Sequence, residues 1–236
     1  MSHNKQTDKQ ITRTREALIK TRQIERELEI GNFGNLSYFL KYSGQQALDY
    51  ALEWTAYYGK IDLVKQCIKY GANIHANKEV ALQMACENGH LDTVRYLVSL
   101  GADINVDDSF PLICAIDKEN INIVEYLLGL KDANGKKICN VNGMYEGPLL
   151  IAINNEYHNI VKLLIDNGAD INICDGVALL TAAKNGNLDI VKLLVESGIN
   201  RDAIPTAIEF AQKENHLDIV GYLTNIIHTT SAHQDH

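Results

Sequence analysis

Six times along the chain a short polar residue, Asp or Asn, precedes a mostly apolar pair: Asp62-Leu63-Val64, Asp92-Thr93-Val94, Asn122-Ile123-Val124, Asn159-Ile160-Val161, Asp189-Ile190-Val191 and Asp218-Ile219-Val220. The intervals are 30, 30, 37, 30 and 29 residues. A period in this range marks one supersecondary unit copied along a stack, each copy too small to bury its apolar face alone.

A second motif lies seven to eleven residues upstream of each Asp or Asn: Ala51-Leu52, Ala81-Leu82, Pro111-Leu112, Pro148-Leu149, Ala178-Leu179 and Ala207-Ile208, each followed three residues later by Thr55, Ala85, Ala115, Ala152, Ala182 or Ala211. Leucine and a small residue three apart share one helix face, and the small residue lets a neighbouring helix approach closely. Breaks such as Asn88-Gly89-His90 and Asn185-Gly186-Asn187 separate the two motifs, glycine being able to take the left-handed conformation that ends a helix. The Asp or Asn falls at the start of the second helix, where the pattern predicts a cap for the free amides. The second helix then runs as in Asp189-Ile190-Val191 to Leu194 and stops at Gly71, Gly101, Gly168 or Gly198. Each unit is a predicted helical hairpin.

The chain after those glycines reads Gly71-Ala72-Asn73-Ile74-His75, Gly101-Ala102-Asp103-Ile104-Asn105 and Gly168-Ala169-Asp170-Ile171-Asn172. With the Ala pair and the Gly-His break, these residues resemble the ankyrin repeat over about residues 47–227. The resemblance implies an all-α ankyrin-repeat α-solenoid of stacked antiparallel helix pairs with short projecting hairpins. Only Pro111 and Pro148 keep the family's Pro-Leu pair, and the period is about 3 residues short of the usual 33. Clipped hairpins with little β-pairing follow from that shortening. Short, Asn- and Ile-rich units of this kind are similar to the ankyrin proteins of giant DNA viruses of amoebae.

The expected organisation is a mobile tail (1–16), an N-terminal capping unit (17–46), repeats at 47–77, 78–107, 108–144, 145–174 and 175–203, a C-terminal capping repeat (204–227) and a polar tail (228–236). Glu16 to Ile30 reads as a helix, and Gly34-Asn35-Leu36-Ser37-Tyr38-Phe39 as a degenerate break and second helix. The long interval places an insertion at 131–137, with Asn134-Gly135 as its turn. Its Lys131, Lys136 and Lys137 offer a contact loop. The plainer reading is a tolerated surface extension, which the low cost of lengthening a loop favours.

Composition narrows the partners. The 236 residues carry a net charge of −8, unevenly: residues 1–30 hold seven Lys/Arg against five Asp/Glu, and residues 31–236 hold fifteen against twenty-five. An acidic body opposes binding to phosphate backbones or anionic lipid. The five cysteines are odd in number and never form Cys-x-x-Cys, which points to a reducing, cytoplasmic setting without a disulfide framework or zinc site. No apolar stretch approaches a membrane span, and the start shows no apolar signal core.

Candidate chemistry is sparse. The chain has no Gly-rich phosphate loop, Gly-x-Ser-x-Gly elbow or His-Glu-x-x-His pair, so neither catalytic residues nor a cofactor or metal is expected. His90 and His216 sit at helix breaks, where the resemblance implies hydrogen bonds along the stack. His158 reads as a partly buried neutral histidine, and His228, His233 and His236 as a solvated terminus. Cys67, Cys86, Cys114, Cys139 and Cys174 take positions held elsewhere by apolar residues and read as small buried hydrophobes. Asp62, Asp92, Asp189 and Asp218 read as helix caps and not as acid/base pairs.

The resemblance implies a partner lying along the groove of hairpin tips and first helices. The variable positions there pick out Asp107, Asp108, Phe110, Met144, Tyr145 and Arg201 as partner-binding residues, with Phe110, Met144 and Tyr145 as apolar anchors and the acids favouring a basic segment. The competing reading, that Phe110 and Tyr145 only cover the adjacent finger, stands level with it. The expected function is a non-catalytic, monomeric protein-interaction scaffold. The alternatives are a regulatory or catalytic enzyme subunit with a cleft across repeats and, less favoured by charge, a nucleic-acid-binding array.

Overall fold

The computed structural model describes residues 22, 26–28, 34, 36–41, 43–143 and 147–231. The chain falls into two compact units, Met1–Ile123 and Val124–His236. The first contains α1 (Leu36–Leu40), α2 (Gln45–Tyr57), α3 (Ile61–Lys69), α4 (Val80–Glu87), α5 (Leu91–Ser99), α6 (Val106–Asp117) and the start of α7 (Ile121–Gly129). The second contains the rest of α7, then α8 (Pro148–Asn154), α9 (His158–Asp166), α10 (Ile173–Lys184), α11 (Leu188–Glu196), a 3-10 turn Arg201–Ala203, α12 (Ile204–Lys213) and α13 (Leu217–Ser231). Short first helices alternate with second helices, as the two motifs predict.

The motif residues form the core. Ala51, Leu52, Ala81, Leu82, Leu112, Ala115, Ala178, Leu179 and Ala207 are essentially inaccessible, as are Val64, Val94, Val161, Val191 and the Leu97, Leu164, Leu194 series of the second helices. Burying one such leucine is worth roughly 1.5–3 kcal/mol. First helices stack directly on one another within each unit, because alanine on their shared face puts only a methyl group between them.

Each first helix ends on the same bond. The amides of Lys60, His90 and Asn120 donate to the carbonyls of Thr55, Ala85 and Ala115 at 2.8–2.9 Å, and those of Tyr157, Asn187 and His216 to Ala152, Ala182 and Ala211 at 2.8–3.0 Å. This six-to-one closure needs a left-handed residue before the donor. Gly59, Gly89 and Gly186 supply it, and Glu119, Glu156 and Asn215 adopt it without glycine.

Three expectations about helix ends and cysteines are corrected. The recurring Asp residues are not caps: α3, α5, α11 and α13 begin one residue before them, and the preceding residues Lys60, His90 and Asn187 hold the cap positions, with only Asn187 accepting an amide, from Ile190 at 3.1 Å. Their carboxylates lie in the first turn, where they still oppose the helix dipole. Helix α13 continues to Ser231, four residues into the stretch expected as tail, since no Gly or Pro interrupts Leu223 to Ser231. Cys174 is exposed, while the other four cysteines are buried.

At the ends, residues 26–28 are helical with Leu28 fully buried, and α1 packs against α3 as the second helix of a preceding unit would. The expected tail at 1–16 lies outside the described residues, as does most of the expected helix from Glu16 to Ile30. Among the described residues there is no β-strand, only an isolated antiparallel bridge between Lys131 and Lys137.

Candidate functional site

In the first unit, the residues flanking the buried Ala-Leu face of the first helices recur at intervals of 30: Tyr50, Val80 and Phe110; Glu53, Gln83 and Ile113; Trp54, Met84 and Cys114; Tyr57, Glu87 and Asp117. Positions i, i+3, i+4 and i+7 form one stripe along a helix. Close stacking of α2 on α4 and of α4 on α6 sets these stripes side by side.

Between α4 and α6 the stripes enclose a cavity of about 430 Å³ lined by Val80, Gln83, Met84, Glu87, Phe110, Ile113, Cys114 and Asp117. Its walls are mainly apolar and its rim carries the two carboxylates. Phe110 is 41% exposed, among the largest exposed apolar surfaces of the described residues. Along α2, Trp54 stacks on Tyr58 at 5.9 Å between centroids and meets Tyr57 edge-on at 5.4 Å, with Tyr50 at 6.1 Å. All four rings are half-exposed.

The loops leading into the first helices are left-handed turns. Asn77, Lys78 and Glu79 all have positive φ, as do Asp107, Asp108 and Ser109, and Cys174, Asp175 and Gly176. The right-handed helix starts at the next residue, which puts Val80 and Phe110 at the mouth of the cavity. Left-handed conformation costs a non-glycine residue roughly 1–2 kcal/mol, so tertiary bonds must hold these turns. Ser109 Oγ donates to Asn105 Oδ1 at 3.2 Å. The first turn replaces that pair with His75 Nδ1 and Glu79 Oε1, 2.5 Å apart, and leaves Glu79 Oε2 buried with no hydrogen-bond partner.

Two further bonds tie the 77–79 turn in place. Asn77 Nδ2 donates to Glu53 Oε1 at 2.6 Å, and Lys78 Nζ lies 3.0 and 3.2 Å from the two carboxylate oxygens of Asp107. Burial pushes the Glu53 carboxyl above its ordinary value, with the nearby Asp49 charge adding to the rise and the Asn77 bond opposing it. Beside this turn a polar recess of about 480 Å³ is lined by Gln45, Asp49, Tyr50, Glu53, Asn73 and Asn77.

The structure brings only some of the sequence candidates together. Asp107, Asp108 and Phe110 share one turn at the cavity mouth. Arg201 belongs to the second unit, where it lines a separate recess of about 350 Å³ with Ile204, Pro205, Ile226 and Ile227. Met144 and Tyr145 lie outside the described residues. In the insertion, Asp132 Oδ1 accepts the amides of Asn134 and Lys136 at 2.9 Å, and Lys137 Nζ donates to Asn167 Oδ1 at 2.7 Å, so one of the three lysines is already hydrogen-bonded within the chain.

The histidines and cysteines have structural settings. His90 and His216 donate from Nε2 to the carbonyls of Tyr57 and Lys184 at 2.8 and 3.0 Å, and Asn120 makes the equivalent bonds to Cys86 and Glu87 at 2.9 and 2.8 Å. His158 is exposed, contrary to expectation, because it opens α9; its Nε2 lies 2.9 Å from Asn187 Oδ1. Burial raises the thiols of Cys67 and Cys114 to about 12 and that of Cys139 to about 11, far from the thiolate a nucleophile needs. Among the described residues no three His, Cys, Asp or Glu side chains cluster as a metal site.

Tyr50, Trp54, Tyr57, Val80, Met84 and Ile113 are not among the candidates that variation at the hairpin tips singles out, because they lie on the first helices themselves. The available signal was the stripe beside the Ala-Leu motif, which in the second unit reads Ile151, Thr181 and Phe210 at the Trp54 position and Asn154, Lys184 and Lys213 at the Tyr57 position.

Helix pairs closed by a six-to-one bond and cross-linked by break histidines define a stacked helical-repeat protein. The chain belongs to the ankyrin repeat family: the family model "Ankyrin repeats (3 copies)" matches residues 52–142, 105–175 and 149–232. Among solved structures it is similar to the crystal structure of the human ASB11 ankyrin repeat domain, with a TM-score of 0.61 and 23% sequence identity over 74% of this chain and 82% of that one. That likeness is one of fold. No curated protein matches the chain.

Proposed function

We propose that this protein is a non-catalytic interaction scaffold that holds a protein partner on its first helices and the turns leading into them. Ankyrin repeats generally mediate protein–protein interaction, and the observation that carries the reading here is the apolar cavity of the first unit, open beside a half-exposed aromatic cluster and rimmed by carboxylates. Apolar anchors within a charged rim are the makeup of interface centres. Asp107, Asp108 and Phe110 belong to this surface of the first unit, and Met144, Tyr145, Arg201 and the insertion lysines are proposed as separate partner contacts of the second. The protein acts as a monomer in the cytoplasm, and the short Asn- and Ile-rich repeats favour a viral source and hence a host cytoplasm.

The test is affinity capture with the folded chain, comparing wild type with the combined Asp107→Ala, Phe110→Ala, Tyr145→Ala variant. Specific partners should be depleted from the variant at least tenfold by quantitative mass spectrometry. Undiminished capture by a variant with unchanged circular dichroism would reject this surface.

A further inference from the structure

We infer that the cavity between α4 and α6 takes one apolar anchor residue from a peptide segment whose neighbouring positions carry Lys or Arg. The inference rests on the scaffold reading above and names the partner's chemistry. Val80, Met84, Phe110 and Ile113 supply the walls, and none of them can hydrogen-bond a polar guest. A polar side chain seated against these four would lose water that they cannot replace, leaving only Gln83, Cys114 and the two carboxylates of the lining as partners, whereas an aliphatic or aromatic one gains by burial. Met84 adds an unbranched, polarizable wall that adapts to the shape of the anchor.

Charge selects what flanks the anchor. Glu87 and Asp117 stand at the cavity itself, exposed Asp107 and Asp108 lie on the turn before Phe110, and Asp49 faces the neighbouring recess. Against these five carboxylates stand Lys78, paired with Asp107, and Lys118, 3.0 Å from Asp117 and 3.9 Å from Glu87. The excess is negative, so a segment with acidic flanks is repelled and one with basic flanks is drawn in. The half-exposed rings of Tyr50, Trp54 and Tyr57 on α2 present faces on which a guanidinium or ammonium can rest. The same stripe in the second unit carries Lys184 and Lys213 where this one carries Glu87 and Asp117 by register, so the selectivity belongs to the first unit.

The experiment pans a random 15-residue peptide display library on the folded full-length chain and measures enriched peptides by fluorescence anisotropy. The expected peptides carry an apolar residue with Lys or Arg within four positions. Their Kd should rise at least tenfold in Phe110→Ala and in Met84→Glu, rise several-fold in the exposed-site variant Asp108→Lys, and stay unchanged in Phe210→Ala of the second unit. Raising salt from 0.05 to 0.5 M should weaken wild-type binding more than binding to Asp108→Lys. Enriched peptides with acidic or neutral flanks, or equal affinity for the Asp108→Lys variant, overturn the inference. Peptides that bind but lose affinity only in Phe210→Ala overturn it and leave the scaffold reading standing. A folded chain that enriches no peptide and captures no partner overturns both.

Discussion

Nε2 of His90 lies 2.8 Å from the carbonyl oxygen of Tyr57, so the residue that opens the second helix of one repeat also caps the first helix of the repeat before it. Since a carbonyl only accepts, Nε2 carries the proton. The ring fits because Gly59 has no side chain: a Cβ there would stand 2.3 Å from His90 Nδ1. His90→Ala should therefore destabilise the chain by about 1 kcal/mol, the usual net worth of such a bond. His90→Asn should recover part of it, since Asn120 already bonds back in the same way. Urea denaturation of the three proteins checks the order; equal midpoints for His90→Ala and wild type would refute it.

The His75–Glu79 pair is a local oddity that can be repaired. The next repeat uses Asn105 and Ser109 at these positions and leaves no orphaned oxygen, whereas Glu79 Oε2 is buried without a partner. An unsatisfied buried polar group costs roughly 1–3 kcal/mol. The double variant His75→Asn, Glu79→Ser should raise stability by about 1 kcal/mol in denaturant melts, as that cost is relieved. A less stable variant would mean that Glu79 has a partner in solution.

Glu53 sets a pH dependence with a definite sign. Its folded carboxyl titrates above the ordinary 4.5, mainly through burial. The folded state therefore binds the proton more tightly than the unfolded state, and this group's contribution is complete below 4.5 and is lost as pH rises through the folded value. Glu53→Gln keeps an acceptor for Asn77 and removes the buried charge, so it should stabilise the protein at pH 7 and lose that advantage near pH 4. Thermal melts of both proteins at the two pH values decide it. An advantage that grows toward acid would contradict the assignment.

Thiol reactivity should separate the cysteines. Cys174 is exposed on a left-handed turn, while Cys67, Cys86, Cys114 and Cys139 are buried. Under native conditions Ellman's reagent should modify one thiol per chain quickly and the other four only on unfolding. Cys174→Ser should abolish the fast phase, and a remaining fast phase would place another thiol at the surface.

The insertion should melt locally. Asp132 holds its turn by accepting two amides, so Asp132→Ala should speed hydrogen exchange across residues 131–138 by tenfold or more. The global midpoint should move little, because Ile138 and the lysines around the turn are exposed and bury little apolar surface. A large global loss would make the insertion part of the core.

The helix pairs, their order and their core were legible because their causes are local. Leu52 and Thr55, or Leu82 and Ala85, share a face by helix geometry alone, and glycine at 59, 89 and 186 ends a helix through its own freedom at positive φ. The Asp residues misled for a related reason: composition places a small acid near a helix start but cannot tell the cap from the second residue of the first turn, which differ by two positions and by which amide is in reach. Glu119 and Glu156 show the same limit, since each takes a glycine-like conformation that its own chemistry disfavours, whereas Asn215 takes one that asparagine tolerates.

The candidate surface was legible only in part. Phe110 and its two acids stand out by breaking the repeat, but Trp54, Val80 and Met84 sit in helices where apolar side chains are ordinary and could equally face inward. Which stripe is left open depends on how closely α2, α4 and α6 stack. The turns at 77–79, 107–109 and 174–176 depend likewise on contacts between distant residues: Asn77 with Glu53, Lys78 with Asp107, and Gly176 against Ala203, where an added Cβ would stand 2.6 Å away. Repetition and helix periodicity are written in neighbouring residues and can be read there. Left-handed turns of ordinary residues, and the apolar cavity they open, exist only where stacking supplies the bonds that outweigh their local cost.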